Sequence, residues 1–169
     1  MNIRKAALSD ARGIAEVHVD SWITTYRNII PDEYLNQLTY EAREQLWINN
    51  LKSCDVFVAE DENGKIVGFA DNGEERTGNY EKLKGEVYSI YILEEHQGKG
   101  LGNLLLKKAV RDLLDKGIHS MLIWVLAENR ACGFYEKMGG RIADTKSVKI
   151  SDKQLREVAY AWEDIHQLS

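Results

Sequence analysis

Little in this 169-residue chain restrains it covalently: there is one proline, and there are two cysteines, Cys54 and Cys132. Two thiols cannot build a disulfide framework or a structural zinc cluster, so an apolar core has to hold the fold. No apolar run approaches the roughly 20 residues of a membrane-spanning helix. The opening Met1-Asn2-Ile3-Arg4-Lys5-Ala6 lacks the apolar region of a secretion signal, and a reducing, cytoplasmic setting is expected. A basic block is also missing, with 22 Lys and Arg against 27 Asp and Glu and a net charge of −5. Without clustered cations to neutralise phosphates, nucleic acid is excluded as a partner. Internal repeats and low-complexity tracts are absent. What remains is 44% hydrophobic and 29% charged, the composition of one ordinary globular domain over residues 1–169 that buries roughly 70% of its unfolded surface.

Apolar periodicity orders the elements. Residues 2–6 alternate as a strand, and Ser9 or Asp10 is placed to cap a helix carrying Ile14, Val17, His18 and Trp22. Pro31 suits the first turn of a short helix through Tyr34 and Leu35, and Thr39 caps the next, with Ala42, Leu46, Trp47 and Leu51. The runs 56–59 and 66–70 flank Asp61-Glu62-Asn63-Gly64, a hairpin signal because Asn-Gly accepts the positive φ that tight hairpin turns require. Residues 71–85 read as a polar loop, and 86–92 as the next strand. Leu104, Leu105, Leu106, Ala109, Val110, Leu113 and Leu114 then mark one broad helical face, which Gly117 ends. Residues 121–126 form a doubly buried strand, 130–137 a short helix, and two strands near 141–150 and 158–165 close the chain across a polar connection.

The segment Gln97-Gly98-Lys99-Gly100-Leu101-Gly102 lies between a strand and the mouth of an amphipathic helix. Glycine there lets the backbone turn with its N–H groups outward, and a helix N-terminus adds free donors and a positive dipole end, which suits a pyrophosphate. The Walker loop and the Rossmann fingerprint both fail on glycine spacing. With Gln97, Gly100 and Gly102 in a Gln/Arg-x-x-Gly-x-Gly/Ala pattern, and Asn129 ahead of Phe134-Tyr135-Glu136-Lys137-Met138-Gly139, the chain resembles the GCN5-related N-acetyltransferase (GNAT) family along nearly its whole length. Two positions depart from the pattern. Asn129 stands one residue closer to Phe134 than usual, and Gly140 replaces the aromatic that often follows the glycine.

The resemblance implies an α/β (α+β) fold, a single three-layer domain with a mixed, mostly antiparallel central sheet flanked by helices. It implies a direct transfer of acetyl from acetyl-CoA to an amine. Backbone at Gln97, Gly98, Lys99, Gly100, Leu101 and Gly102 would hold the pyrophosphate, with Lys99 as an added charge. Ile90, Tyr91 and Ile92 would hold the pantetheine arm, where the central strand splays from its neighbour at a bulge, and Asn129 and Tyr135 would add coenzyme contacts. An ammonium with an ordinary pKa of about 10.4 must lose a proton before it attacks. Glu86, eleven residues before Gln97, is the candidate base; it could equally bind the substrate cation, with water relaying the proton. Tyr135 corresponds to the tyrosine that protonates the coenzyme sulfur, and Trp22, Tyr26 and Tyr34 lie where the family builds its acceptor wall. Cys132 has no histidine nearby in sequence to activate it as a nucleophile, and His18 falls on an apolar face. Asp20, Glu74, Glu75 and Glu86 favour a polyamine or another cationic amine, a small molecule or a peptide. No metal is called for. Homodimers are common in the family. The competing expectation is a non-catalytic acyl-CoA-binding module.

Overall fold

A computed structural model describes all 169 residues. It contains seven strands, β1 (Asn2–Lys5), β2 (Asp55–Glu60), β3 (Ile66–Glu74), β4 (Gly85–Ile92), β5 (Met121–Leu126), β6 (Arg141–Ile150) and β7 (Lys153–Trp162), in one sheet of order β1-β2-β3-β4-β5-β7-β6. Five helices, α1 (Ala11–Tyr26), α2 (Asp32–Leu35), α3 (Tyr40–Asn50), α4 (Leu101–Asp115) and α5 (Ala131–Lys137), cover it. Only β4 and β5 are parallel neighbours, so the sheet is mixed and mostly antiparallel, as the resemblance implies. Successive residues of β3 separate the two covering layers. Phe69 packs on Trp47 and His18 of α3 and α1, whereas Gly68 lies under Leu105 of α4.

Local chemistry explains most boundaries. The Thr39 hydroxyl accepts from the Ala42 N–H at 3.2 Å, and Gly117 at φ 76° ends α4 while Ile118 N–H bonds back to Leu113 O at 2.9 Å, a Schellman closure. Asp10 does not cap α1; its carboxylate accepts from the Ala7 N–H at 2.7 Å and from Arg4, which organises the single turn ahead of the helix. Leu104 falls outside the buried stripe of α4 and is 51% exposed.

Two stretches read as connections are strand. Residues 71–74 continue β3 because β4 supplies them with partners, and Gly73 makes room for Tyr88, whose hydroxyl would lie 2.4 Å from a Cβ at that position. Residues 153–157 belong to β7, reached through a tight turn at Ser151 (φ 54°) and Asp152, since the long edge strand β6 pairs with every one of them. Gly140 has a packing reason of its own. A Cβ there would sit 2.6 Å from the indole of Trp162, which is 2% exposed and held by an Nε1–H bond to Met138 O at 3.0 Å. Trp162 thus occupies the space that a side chain at position 140 would need. Gly140→Ala is expected to lower stability by about 1–3 kcal/mol through overpacking, read as a drop in Tm.

Candidate active site

The parallel pair β4–β5 stays together for only two positions, Gly85 with Met121 and Glu86 with Leu122. Just beyond, β4 takes an extra residue, Tyr88, between the pairs Asn72–Val87 and Asp71–Ser89. Such a bulge bends and twists its strand, and from there β4 and β5 diverge. Between them opens a cleft of about 830 Å³, walled by residues 88–92 on one side and 123–125 on the other. One edge of β4 remains bonded to β3, so its other edge presents unpaired backbone groups to the cleft.

One end of the cleft is the glycine loop. Gly98 and Gly100 have φ of 70° and 81°, a region that side chains with a Cβ enter at a cost. The first N–H bond into α4 is that of Leu104 to Gly100 O, 3.3 Å, leaving the N–H groups before it without an intrahelical acceptor. Gln97, Gly98, Gly100 and Gly102 line the cleft, as do Ile90, Tyr91 and Ile92. The Gln97 side chain donates to Ile92 O at 2.9 Å, tying the loop to the end of β4. Lys99 is exposed and outside the lining, and the Leu101 side chain is buried in the core, so neither residue lines the cleft. Asn103, which the sequence reading missed, also lines the cleft and holds a buried Oδ1 without a hydrogen-bond partner.

The opposite wall comes from the β5–α5 corner. Asn129 accepts from the Ala131 N–H at 2.9 Å through its side chain, a turn that starts α5, and reaches the Tyr26 hydroxyl at 3.5 Å. Tyr26 in turn lies 3.5 Å from the Tyr91 hydroxyl. The shifted spacing of Asn129 therefore does not remove it from the cleft. Tyr135 is 4% exposed, packed on Phe134, Tyr160 and Trp162, and lines the cleft with a hydroxyl that no protein group engages. Burial holds its pKa well above the ordinary tyrosine value, so it stays a proton donor at physiological pH.

A smaller lobe of about 180 Å³ adjoins the cleft across Tyr26, Tyr88, Tyr91, Trp124 and Val125. Trp22, Arg76, Lys146 and Glu157 line it further. Tyr34 lies tilted against Trp22, with ring centroids 6.3 Å apart, but lines neither lobe. Glu86 is 2% exposed and also lines neither. Both its oxygens accept from Arg76: Nη2 at 2.5 Å, Nε at 3.2 Å and the backbone N–H at 3.2 Å. This bidentate grip raises the Arg76 pKa and aims a guanidinium, 59% exposed and stacked 4.4 Å over the Tyr88 ring, into the lobe. The other carboxylates counted as attractive to a cation line neither lobe. Asp20 accepts from Tyr40, Glu75 organises its own loop, and Glu74 is exposed at the end of β3.

Two side chains are structural. His18 accepts from Trp47 Nε1 at 3.0 Å, stacks on Tyr91, and is pushed down to about 3 chiefly by burial, hence neutral. The Cys132 thiol points at the Leu126 and Ala127 carbonyls, and burial raises its pKa, which suppresses the thiolate a nucleophile needs.

The family model for the Acetyltransferase (GNAT) family matches residues 19–140, which include the second half of α1, the bulged strand, the glycine loop and Tyr135. The chain belongs to the GNAT family. It is 42% identical over 169 residues, covering 99% of this chain and 96% of the relative, to the uncharacterized N-acetyltransferase YuaI of Bacillus subtilis (strain 168). It is 31% identical over 135 residues, 78% of this chain and 73% of the relative, to the L-amino acid N-acyltransferase MnaT of Escherichia coli (strain K12). Among solved structures it is similar to the PaiA N-acetyltransferase of Thermoplasma acidophilum in complex with coenzyme A, with a TM-score of 0.74, 22% identity and 92% of this chain and 96% of that chain covered. The protein is thus an acetyl-CoA-dependent acyltransferase of the GNAT type. No helix in this GNAT domain is long and apolar enough to cross a membrane.

Proposed function

We propose that this enzyme transfers acetyl from acetyl-CoA directly to the primary amine of a small molecule that also carries a carboxylate. The observation behind this reading is the continuity of the two lobes. The glycine loop and splayed strands form a coenzyme-sized trough that ends at Tyr135, and the adjoining small lobe carries the Arg76 guanidinium beside Lys146 and Glu157. Glu86 occupies the Nε–Nη2 edge of Arg76, which leaves the outer donors of the fork for an anion. In this reading Glu86 sets the position of Arg76. The amino-acid acceptor named for MnaT is of the same chemical kind.

Acetyl-CoA would lie with its pyrophosphate at Gly98 to Gly102, its pantetheine along the free edge at Ile90 to Ile92, and Asn129 and Tyr135 beside its thioester end. Trp22 and Tyr26 would wall the acceptor. As the amine attacks, the carbonyl oxygen takes up charge beside the β4 backbone near Tyr91, and Tyr135 protonates the leaving thiolate. A polyamine is the second reading, carried by the net charge of −5, and cytoplasmic residence accords with two free thiols. The test is release of free thiol from acetyl-CoA with amino acids, spermidine, aminoglycosides and short peptides as acceptors. Turnover is expected with an amino acid or a close analogue; turnover confined to spermidine overturns the carboxylate assignment. Acetyl-CoA binding with a silent panel would return the weight to a binding module.

A further inference from the structure

The reading above leaves the ammonium proton without a destination, because Glu86 spends both oxygens on Arg76 and lines neither lobe. A second carboxylate lies on the same side of the sheet. Asp71, on β3, is 5% exposed, and it pairs across the strands with Ser89, the residue immediately after the bulge. The Ser89 hydroxyl donates to Asp71 Oδ1. Ser89 itself is half-buried and lines the cleft between Tyr88 and Tyr91, the two β4 residues that border both lobes. Ser89 therefore stands in the cleft wall while its hydroxyl bonds to a buried carboxylate. Asn72, next to Asp71, bonds instead to Asp112 of α4 on the opposite face, so the strand register alone selects Asp71 for the cleft side.

We propose that Asp71 receives the proton of the acceptor ammonium through the Ser89 hydroxyl. The ammonium gives a proton to Ser89 Oγ as the Ser89 proton passes to Asp71, leaving a free amine and a neutral carboxylic acid. The amine forms the C–N bond as the C–S bond breaks, and Tyr135 protonates the thiolate. The nitrogen's second proton goes to the emptied tyrosinate, and Asp71 returns its own to solvent by the same hydroxyl. Overall, ammonium and acetyl-CoA become amide, free thiol and one proton. Ser89 is the group that meets substrate; Asp71 acts through it. The assignment rests on the amine-acetyltransfer reading above.

Burial raises Asp71 from its ordinary 3.8 to about 6, partly offset by Ser89 and Arg76, which leaves it ionised at neutral pH yet a stronger base than an exposed carboxylate. The charged and titratable groups coupled to it are Arg76, from the loop after β3, and Tyr88 on β4, and Tyr88 in turn feels Glu86 on β4 and Cys54 ahead of β2. On α1, His18 is neutral across the range concerned.

The experiment is kcat/KM for the acceptor from pH 5 to 9, measured by thiol release in the full chain and in the Asp71→Asn and Ser89→Ala variants, with acetyl-CoA affinity by calorimetry. Wild type should lose activity as pH falls through about 6. Asp71→Asn should lose that limb and about 10²-fold of the plateau. Ser89→Ala, a small change at a half-buried site, should fall in the same direction, with acetyl-CoA affinity kept in both. A purely structural role would lower activity without removing the limb. Plateaus within about threefold of wild type, or an acid limb that persists in both variants, overturn the relay while leaving acetyl transfer in place. A wild type that binds acetyl-CoA and acetylates no amine overturns the parent reading and the relay with it.

Discussion

Tyr135→Phe is expected to lower kcat by about 10²-fold at neutral pH while acetyl-CoA affinity and Tm stay at their wild-type values. The phenyl ring keeps the packing on Phe134, Tyr160 and Trp162, and no hydrogen bond is lost because the hydroxyl has no protein partner. What disappears is the proton for the leaving thiolate. A thiol has a pKa of about 8.5, so above that pH the thiolate departs unaided and the gap between variant and wild type should narrow. Stopped-flow thiol release from pH 6 to 9.5 checks both the size and the pH trend. An undiminished kcat at pH 7 would remove Tyr135 from the chemistry.

Glu86→Gln is expected to raise the acceptor KM by about 10- to 100-fold, the scale of a lost charge-assisted hydrogen bond of about 1.5–3 kcal/mol, with the acid limb of the pH profile unchanged. The amide keeps the shape and one acceptor oxygen but gives up one of the two bonds along the Nε–Nη2 edge of Arg76, which then no longer points its fork steadily into the small lobe. Arg76→Ala is the poorer variant, because it leaves a carboxylate that is 2% exposed without its cation, at a cost of about 3–5 kcal/mol in stability. Steady-state kinetics at varied acceptor separates the two roles of Glu86. A KM effect identifies the holder of Arg76, whereas a fall in kcat with loss of the acid limb identifies Glu86 as the base and displaces Asp71.

Asp71 also leaves a trace in stability that turnover does not share. Its folded-state pKa is raised, so between about 4 and about 6 the native chain holds a proton that the unfolded chain has released. Stability from this group is present at the acid end and is lost as pH rises through about 6. Asp71→Asn should remove that part of the decline, seen as a smaller Tm difference between pH 5 and pH 7.5.

The elements with strong local signals were legible in the sequence: the Asn-Gly hairpin, the Thr39 cap, the Gly117 stop and the glycine loop all form where their chemistry places them. The two missed strand segments, 71–74 and 153–157, are polar, and they are strand because a neighbouring strand supplies partners at long sequence separation. Periodicity within a short window cannot register such partners. The same limit applies to charge. Summed over the chain, 27 acidic residues point to a cationic acceptor, yet the groups that reach the small lobe are Arg76, Lys146 and Glu157.

The sequence by itself determined the family, the glycine loop at the mouth of α4 and the helix that carries Tyr135, because each depends on a few residues at fixed short spacing that build a turn, a helix start or one helix face. Only the tertiary structure decided which carboxylate can take a proton. Glu86 and Asp71 are 15 positions apart and equally acidic on paper. The pairing of β3 with β4, offset by one residue at Tyr88, gives Glu86 to Arg76 and brings Asp71 to Ser89 at the cleft. A one-residue register shift moves side chains between the faces of a sheet, and no local pattern in either strand announces it.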